Sequence, residues 1–362
     1  LEYGTTYVIA LLPGIQGVDV EPLGAAMTSE FTTATPPPGA SFEVPPFNVL
    51  RYGVNLNGVA RAPFGWISVG DHGVALLTTD TGRFFLPTGT TQKLKDVWTQ
   101  AEGPTYLCGG VQGSVLTPSS GILLLYEDGR RTEVEGGWTN PLVGVHGRSA
   151  LDVFVVEGAG LVWGSHPLGW RSRAINGTGG GTTGTDIWVD SGGYLYAATP
   201  DGIATVHEAS GNPLELACET EDACRSVDGY RDDHVLAVFD TDVIHFTRDV
   251  SCGFVHSPGV QLADVSQATN SWAVAVGEEN VASALYVGDT WSILQVDGPG
   301  WLLAVAAWYE GDVKRAVAVG EDGAEFSYAN GSWRGRYSRR MSWHEAIDAL
   351  PHWDDLSGAE GE

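Results

Sequence analysis

At 362 residues, with 43% hydrophobic and 18% charged residues, the chain has the composition of a folded protein, and 13 Trp exclude a disordered one. Its 45 acidic against 19 basic residues leave a formal net charge of −26, a surface that repels phosphate backbones and anionic headgroups and so excludes nucleic-acid binding. No apolar run reaches the roughly 18–20 residues that a membrane-spanning helix needs, so no membrane insertion is expected.

In chain order, residues 1–11 alternate apolar and polar side chains as a strand does, a glycine-rich turn follows, and Ser29 to Thr33 closes the segment. Leu1, Gly4-Thr5-Thr6-Tyr7, Gly14-Ile15, Pro22-Leu23 and Phe31-Thr32-Thr33 resemble the second half of a bacterial Ig-like domain found in secreted and surface proteins. The resemblance implies that residues 1–33 are the C-terminal part of a sandwich. Half a sandwich cannot close its own core, so the chain beginning at Leu1 reads as part of a longer one. Residues 34–43 hold three consecutive prolines and are expected to form a stiff, extended linker.

From 44 to 338 a short apolar run ending in a tight acidic or glycine turn recurs roughly every 42 residues. The copies are Trp66–Gly70, Thr105–Gly109, Val153–Glu157, Leu195–Thr199, Val235–Phe239, Trp272–Gly277 and Arg315–Gly320. A repeat of strands at this spacing predicts an all-β fold, a seven-bladed β-propeller of four-stranded antiparallel blades, and 49 Gly suit a fold with so many tight turns. Within a copy, large Trp272, Val274 and Val276 alternate with small Ala273 and Ala275, so facing blades can interlock large against small. Trp170, Trp291 and Trp333 occupy one template position and are expected to seal the outer rim. Residues 142–170 and 262–333, and more loosely 50–140 and 182–256, resemble the V-W-G-S…D-V-W-A-V-G…G-x-x-W repeat of propellers secreted by soil bacteria. That resemblance implies a propeller and no single activity. In residues 339–362, Ser342 to Leu350 has apolar positions at helical spacing before Pro351, and an acidic tail follows.

The patterned polar feature is the turn after each apolar strand, which carries Asp71, Glu157, Asp201, Asp240, Glu278 and Glu321, with Gln112 in the second copy. These acids read in two ways. They are a ligand-binding ring for Ca²⁺, a cationic partner or a polyhydroxylated ligand, or they are the residues that tight hairpins favour. No metal site has a sequence signature, since the His are scattered and no calcium loop occurs. Cys218 and Cys224 flank a polar loop and are expected to form a disulfide, which places the protein in an oxidising compartment; Cys252 could pair with either. The Gly177–Gly184 run lacks the Lys of a phosphate loop and reads as an interblade loop. Gly288 to Trp291 and Asn330 to Trp333 resemble remnants of sialidase turns, without the full motif.

The expected function is non-catalytic recognition or scaffolding: a secreted or cell-surface bacterial protein, a monomeric propeller within a longer chain, that binds a protein or glycan through one face. The alternative is a carbohydrate-active propeller, lectin or sialidase-like hydrolase. Lys93, Lys95 and Lys314 are the only lysines among the 19 basic residues, a bias of GC-rich bacterial genomes.

Overall fold

The computed structural model describes residues 6–11, 27–32 and 54–336, apart from 101–102, 115–117, 128–129, 167–168, 177–182, 221, 232–233, 248–250, 279–282, 288–289, 295, 297–299 and 330. The chain divides into two compact units, Leu1–Pro46 and Phe47–Glu362. In the first, Thr6–Leu11 and Met27–Thr32 pair antiparallel, with Thr6 opposite Thr32 and Leu11 opposite Met27. The linker at 34–43, most of the Gly177–Gly184 run and the helix expected over Ser342–Leu350 lie outside the described residues.

The second unit is all-β, a propeller arrangement of four-stranded antiparallel sheets. Its first group of strands sets the pattern: Leu56–Ala62, Gly65–Gly70, Ala75–Thr79 and Gly82–Phe85 follow one another as a meander. The innermost strands are Leu56–Ala62, Lys93–Thr99, Leu142–Ser149, Asp186–Val189, Cys224–Arg231, Leu262–Thr269 and Leu302–Glu310. Each packs against the next, and the last returns to the first, which closes a ring. At the closure Leu56, Val59 and Leu76 pack on Ala304, Val317 and Val319, and the Asp322 backbone N–H donates to Asn55 Oδ1 at 3.3 Å.

The repeat predicts seven separate sheets, whereas hydrogen bonding among the described residues draws five four-stranded sheets and one eight-stranded sheet. The cause is a short parallel contact at the rim, where Ile175 lies opposite Leu214 and Asn176 opposite Glu215. It joins the outermost strands of two neighbouring groups of four.

The core follows the alternation in the strands. Trp272, Val274 and Val276 face the following group, where small Ala316 and Ala318 receive them. Ala273 and Ala275, on the other face of the same strand, receive Leu236 and Val238 of the preceding group. Trp170 packs edge-on against Trp138 at 5.4 Å, Trp291 stacks on His256 at 5.3 Å, and Trp333 lies 5.4 Å from Tyr328. All three rings sit against clusters made by two neighbouring groups.

The expected disulfide is corrected. Cys218 is bonded to Cys252, not to Cys224, with Cα atoms 6.1 Å apart, inside the usual range. Cys218 and Cys252 lie on the outermost strands Leu214–Glu219 and Ser251–His256 of consecutive groups. Cys224 opens the innermost strand between them and stays a buried free thiol, 3.6 Å from the Ser226 carbonyl oxygen. The polar residues between Cys218 and Cys224 carry the chain from rim to centre, so they span a radius rather than close a loop.

Candidate functional site

The acidic turns all follow a second strand, and their backbones repeat one geometry. The N–H groups of Asp71, Glu278 and Glu321 donate to the carbonyls of Asn55, Gln261 and Trp301 at 3.0, 2.7 and 2.9 Å, each just before the innermost strand of its own group. In the turns Asp71–Gly73 and Glu321–Gly323 the middle residue is left-handed, His72 at φ 58° and Asp322 at φ 53°. Gly73 is also left-handed at φ 73°, and a Cβ there would fall 1.9 Å from the Thr90 carbonyl oxygen, so only glycine fits.

Four of these side chains are held locally. Asp71 accepts from Asn57 Nδ2 at 3.0 Å and pairs with Lys93 at 2.9 Å. Burial works against its charge, but those two partners hold its pKa below the ordinary value. Glu157 is fully buried and accepts from the backbone N–H groups of Thr139 and Asn140, from Asn140 Nδ2 and from Trp163 Nε1, at 2.6–2.9 Å. Burial again opposes ionisation, and these donors overcome it and lower the pKa. Asp240 receives both Arg225 Nε and Nη2, at 2.9 and 2.6 Å. Glu321 accepts from the Trp301 N–H at 3.3 Å. At Asp201 the backbone N–H donates to Thr199 Oγ1 at 3.2 Å. These contacts tie turns to their own neighbourhoods rather than to a common centre.

A second set of carboxylates, absent from the sequence reading, does converge. Asp96, Asp186, Asp228 and Asp264 sit on four different innermost strands and line the centre of the ring. Each staples two strands with one pattern: Oδ1 accepts from the N–H of the following residue and Oδ2 from an N–H of the next innermost strand. For Asp96 the donors are Val97 and Val145, at 2.7 and 2.8 Å. For Asp186 they are Ile187 and Val227, at 2.7 and 3.0 Å. Asp228 receives Gly229 and Gln267, at 2.8 and 2.7 Å; Asp264 receives Val265 and Val305, at 2.8 and 2.7 Å. Gly144 leaves room for this network, since a Cβ there would lie 2.9 Å from Asp186 Oδ1.

The carboxylates are enclosed by protein yet retain some solvent contact, as side chains lining a narrow channel do. Burial, and beyond it their mutual repulsion, pushes Asp96 and Asp228 up to about 7 and Asp186 well above the ordinary value; burial takes Asp264 to about 6. Ser226 Oγ stands between two of them, 2.9 Å from Asp186 Oδ2 and 2.5 Å from Asp264 Oδ1. His146 lies between Trp98 and Trp188, with ring centroids at 6.3 and 6.1 Å. Burial lowers its pKa to about 3, and its Nδ1 accepts from the Val189 N–H at 3.3 Å. Among the described residues no group of three or more His, Cys, Asp or Glu is arranged to hold a metal ion. The sequence signal was an acid directly before an apolar pair in the first strand, as in Asp96-Val97-Trp98 and Asp186-Ile187-Trp188.

A groove of about 720 Å³ opens between the first and last groups of strands. The hairpin turn at Pro63 and Phe64 forms one wall, and the meander puts this turn on the face opposite the acidic turns. Phe64 is 83% exposed. The Arg61 guanidinium lies over the Trp308 ring, 5.9 Å from its centroid, and Arg315 pairs with Glu310 at 2.8 Å. Trp66 lines the groove, and its buried Nε1–H has no acceptor among the described residues.

No protein-family model matches the chain, and no characterised protein matches it in sequence. Solved structures do share the fold. Virginiamycin B lyase from Staphylococcus aureus superposes with a TM-score of 0.59 at 9% identity, covering 88% of this chain and 99% of that one. A streptogramin B lyase gives 0.61 at 10%, over 80% and 96%. YCF48 bound to a D1 peptide gives 0.58 at 12%, over 91% and 98%. At these identities the likeness is one of fold.

Proposed function

We propose that the chain is a recognition protein, a seven-bladed propeller when the eight-stranded sheet is counted as two blades, that seats a peptide segment of a partner protein in the groove between its first and last blades. The observation that carries this reading is the groove of about 720 Å³ itself, with Phe64 83% exposed on one wall and Trp308, under the Arg61 guanidinium, and Tyr328 on the other. Aromatic walls beside Arg61 supply the anchoring that such interfaces use. The similar fold of YCF48, bound to a D1 peptide, supports partner binding by a propeller of this kind.

The Cys218–Cys252 disulfide supports an oxidising compartment, in keeping with a secreted or cell-surface bacterial protein whose propeller follows an Ig-like module. A glycan is the alternative occupant, because Asp80 and Glu310 flank the same aromatic rings.

Peptide and glycan arrays probed with the intact chain separate the two, followed by titration of any hit against tryptophan emission. Peptide binding is expected, and Phe64→Ala, at an exposed position on the groove wall, is expected to weaken it at least tenfold with the melting temperature within about 2 °C of the parent. Glycan hits alone transfer the site to the alternative, and undiminished binding by Phe64→Ala removes the groove from the reading.

A further inference from the structure

We infer that the centre of the ring is a proton-held latch, in which Asp186 and Asp264 share a proton through Ser226 and the innermost strands are held most firmly while that proton is present.

Hydroxyl stoichiometry carries the argument. Ser226 Oγ has one proton and lies within hydrogen-bond distance of two carboxyl oxygens, at 2.9 and 2.5 Å. If it donates to one, its lone pairs face the other, and two acceptors at that separation repel. The contact becomes attractive when the second carboxyl is itself protonated and donates to Ser226 Oγ. The carboxyl oxygens take their remaining bonds from backbone N–H groups of Ile187, Val227, Val265 and Val305. Those donors stabilise charge, but no cationic side chain is placed on either carboxyl by the contacts described.

The surrounding titratable groups do not supply a compensating charge. Asp228, on the innermost strand between Asp186 and Asp264, and Asp96, two innermost strands before Asp186, add repulsion. The thiols of Cys108 and Cys224, which face Asp96 and Asp186 from adjoining strands, are pushed up by burial and stay neutral. His146 is neutral above about pH 3, and Lys95 acts on Asp71 and Cys108. A proton is therefore the charge that the cluster itself accommodates.

The direction of the pH effect follows from linkage. Carboxyls whose folded pKa lies above the unfolded value of about 3.9 stabilise the fold fully below that value. The contribution is lost as the pH rises through the folded values of about 6 to 7. The staples then carry uncompensated charge on both sides of Ser226.

The test uses the intact chain with ¹³C-labelled aspartate at constant ionic strength. Carboxyl chemical shifts followed from pH 4 to 8.5 are expected to include the central aspartates still protonated near pH 6, Asp96 and Asp228 among them; in Asp264→Asn one of these signals disappears and that of Asp186 moves to lower pH. In calorimetry the parent is expected to lose about 5–10 °C of melting temperature between pH 4.5 and 7.5. Asp264→Asn and Ser226→Ala are expected to lose less over the same interval, the remaining slope being carried by Asp96 and Asp228. If a variant does not fold, the parent titration decides alone. The inference is overturned if every aspartate is ionised by pH 5, or if the folded variants keep the parent's pH slope. Stoichiometric metal retained through EDTA dialysis, with a melting temperature that falls when the metal is stripped, also overturns it, because a cation would then be the latch.

Discussion

Glu157 and Asp96 are both carboxylates held by backbone N–H groups, and the propeller treats them oppositely. At the turn, five hydrogen bonds from Thr139, Asn140 and Trp163 surround one carboxylate, and ionisation is favoured. At the centre, each carboxylate has two backbone donors and other carboxylates for company, and ionisation is disfavoured. Donor count per charge, rather than burial alone, decides the sign. The turn acids lock a loop in the ionised state, and the central acids lock neighbouring strands best when some of them are neutral.

Removing Glu157 should have the largest effect. Glu157→Ala removes a buried carboxylate and its hydrogen bonds from Thr139, Asn140 and Trp163, and urea unfolding at pH 7 should show a loss of about 3 kcal/mol. Because its folded pKa is lowered, this contribution is present above about pH 4.3 and fades as the pH falls through the folded value. Asp96→Ala cuts the staple to Val145 and should cost about 2–3 kcal/mol at pH 5. Its pH trend is reversed: with a folded pKa of about 7, the penalty should shrink at pH 8, where the parent bears the buried charge. A penalty for Asp96→Ala that grows with pH would erase the contrast between the two sites. Asp240→Ala removes a half-exposed pair with Arg225 and should cost about 0.5–1 kcal/mol. The smallest effect expected is that of calcium. With Asp71, Glu157 and Asp240 already partnered within the fold, millimolar Ca²⁺ and NaCl of matched ionic strength should shift the melting temperature equally, within about 1 °C. A larger shift with Ca²⁺ would reinstate the acidic turns as a cation-binding ring.

The propeller arrangement was legible because it rests on local signals: strand alternation, glycine turns, and the large-small exchange between Trp272–Val276 and Ala316–Ala318. The partition into sheets was not, since the pairing of Ile175 with Leu214 depends on how two rims meet in space. The disulfide misled because proximity in sequence suggested a loop, whereas Cys218 and Cys224 stand at opposite ends of a rim-to-centre connection. The acidic turns stood out by repetition, and their partners, such as Lys93 for Asp71 and the 139–140 segment for Glu157, come from other strands and loops. The central aspartates were hidden for the converse reason. Each is one acid among the mixed residues of its own strand, and their meeting is a product of ring closure alone.

The bond between Cys218 and Cys252 ties two outermost strands together across the place where the chain turns inward through Thr220, Asp222 and Ala223. A protease that cuts that inward passage severs the polypeptide without breaking a strand ladder, and the two pieces remain covalently joined through the sulfurs. Nicked molecules should therefore migrate as a single species on a non-reducing gel and separate when thiol is added. In a protease-rich medium, damage at this connection would leave the circular assembly whole.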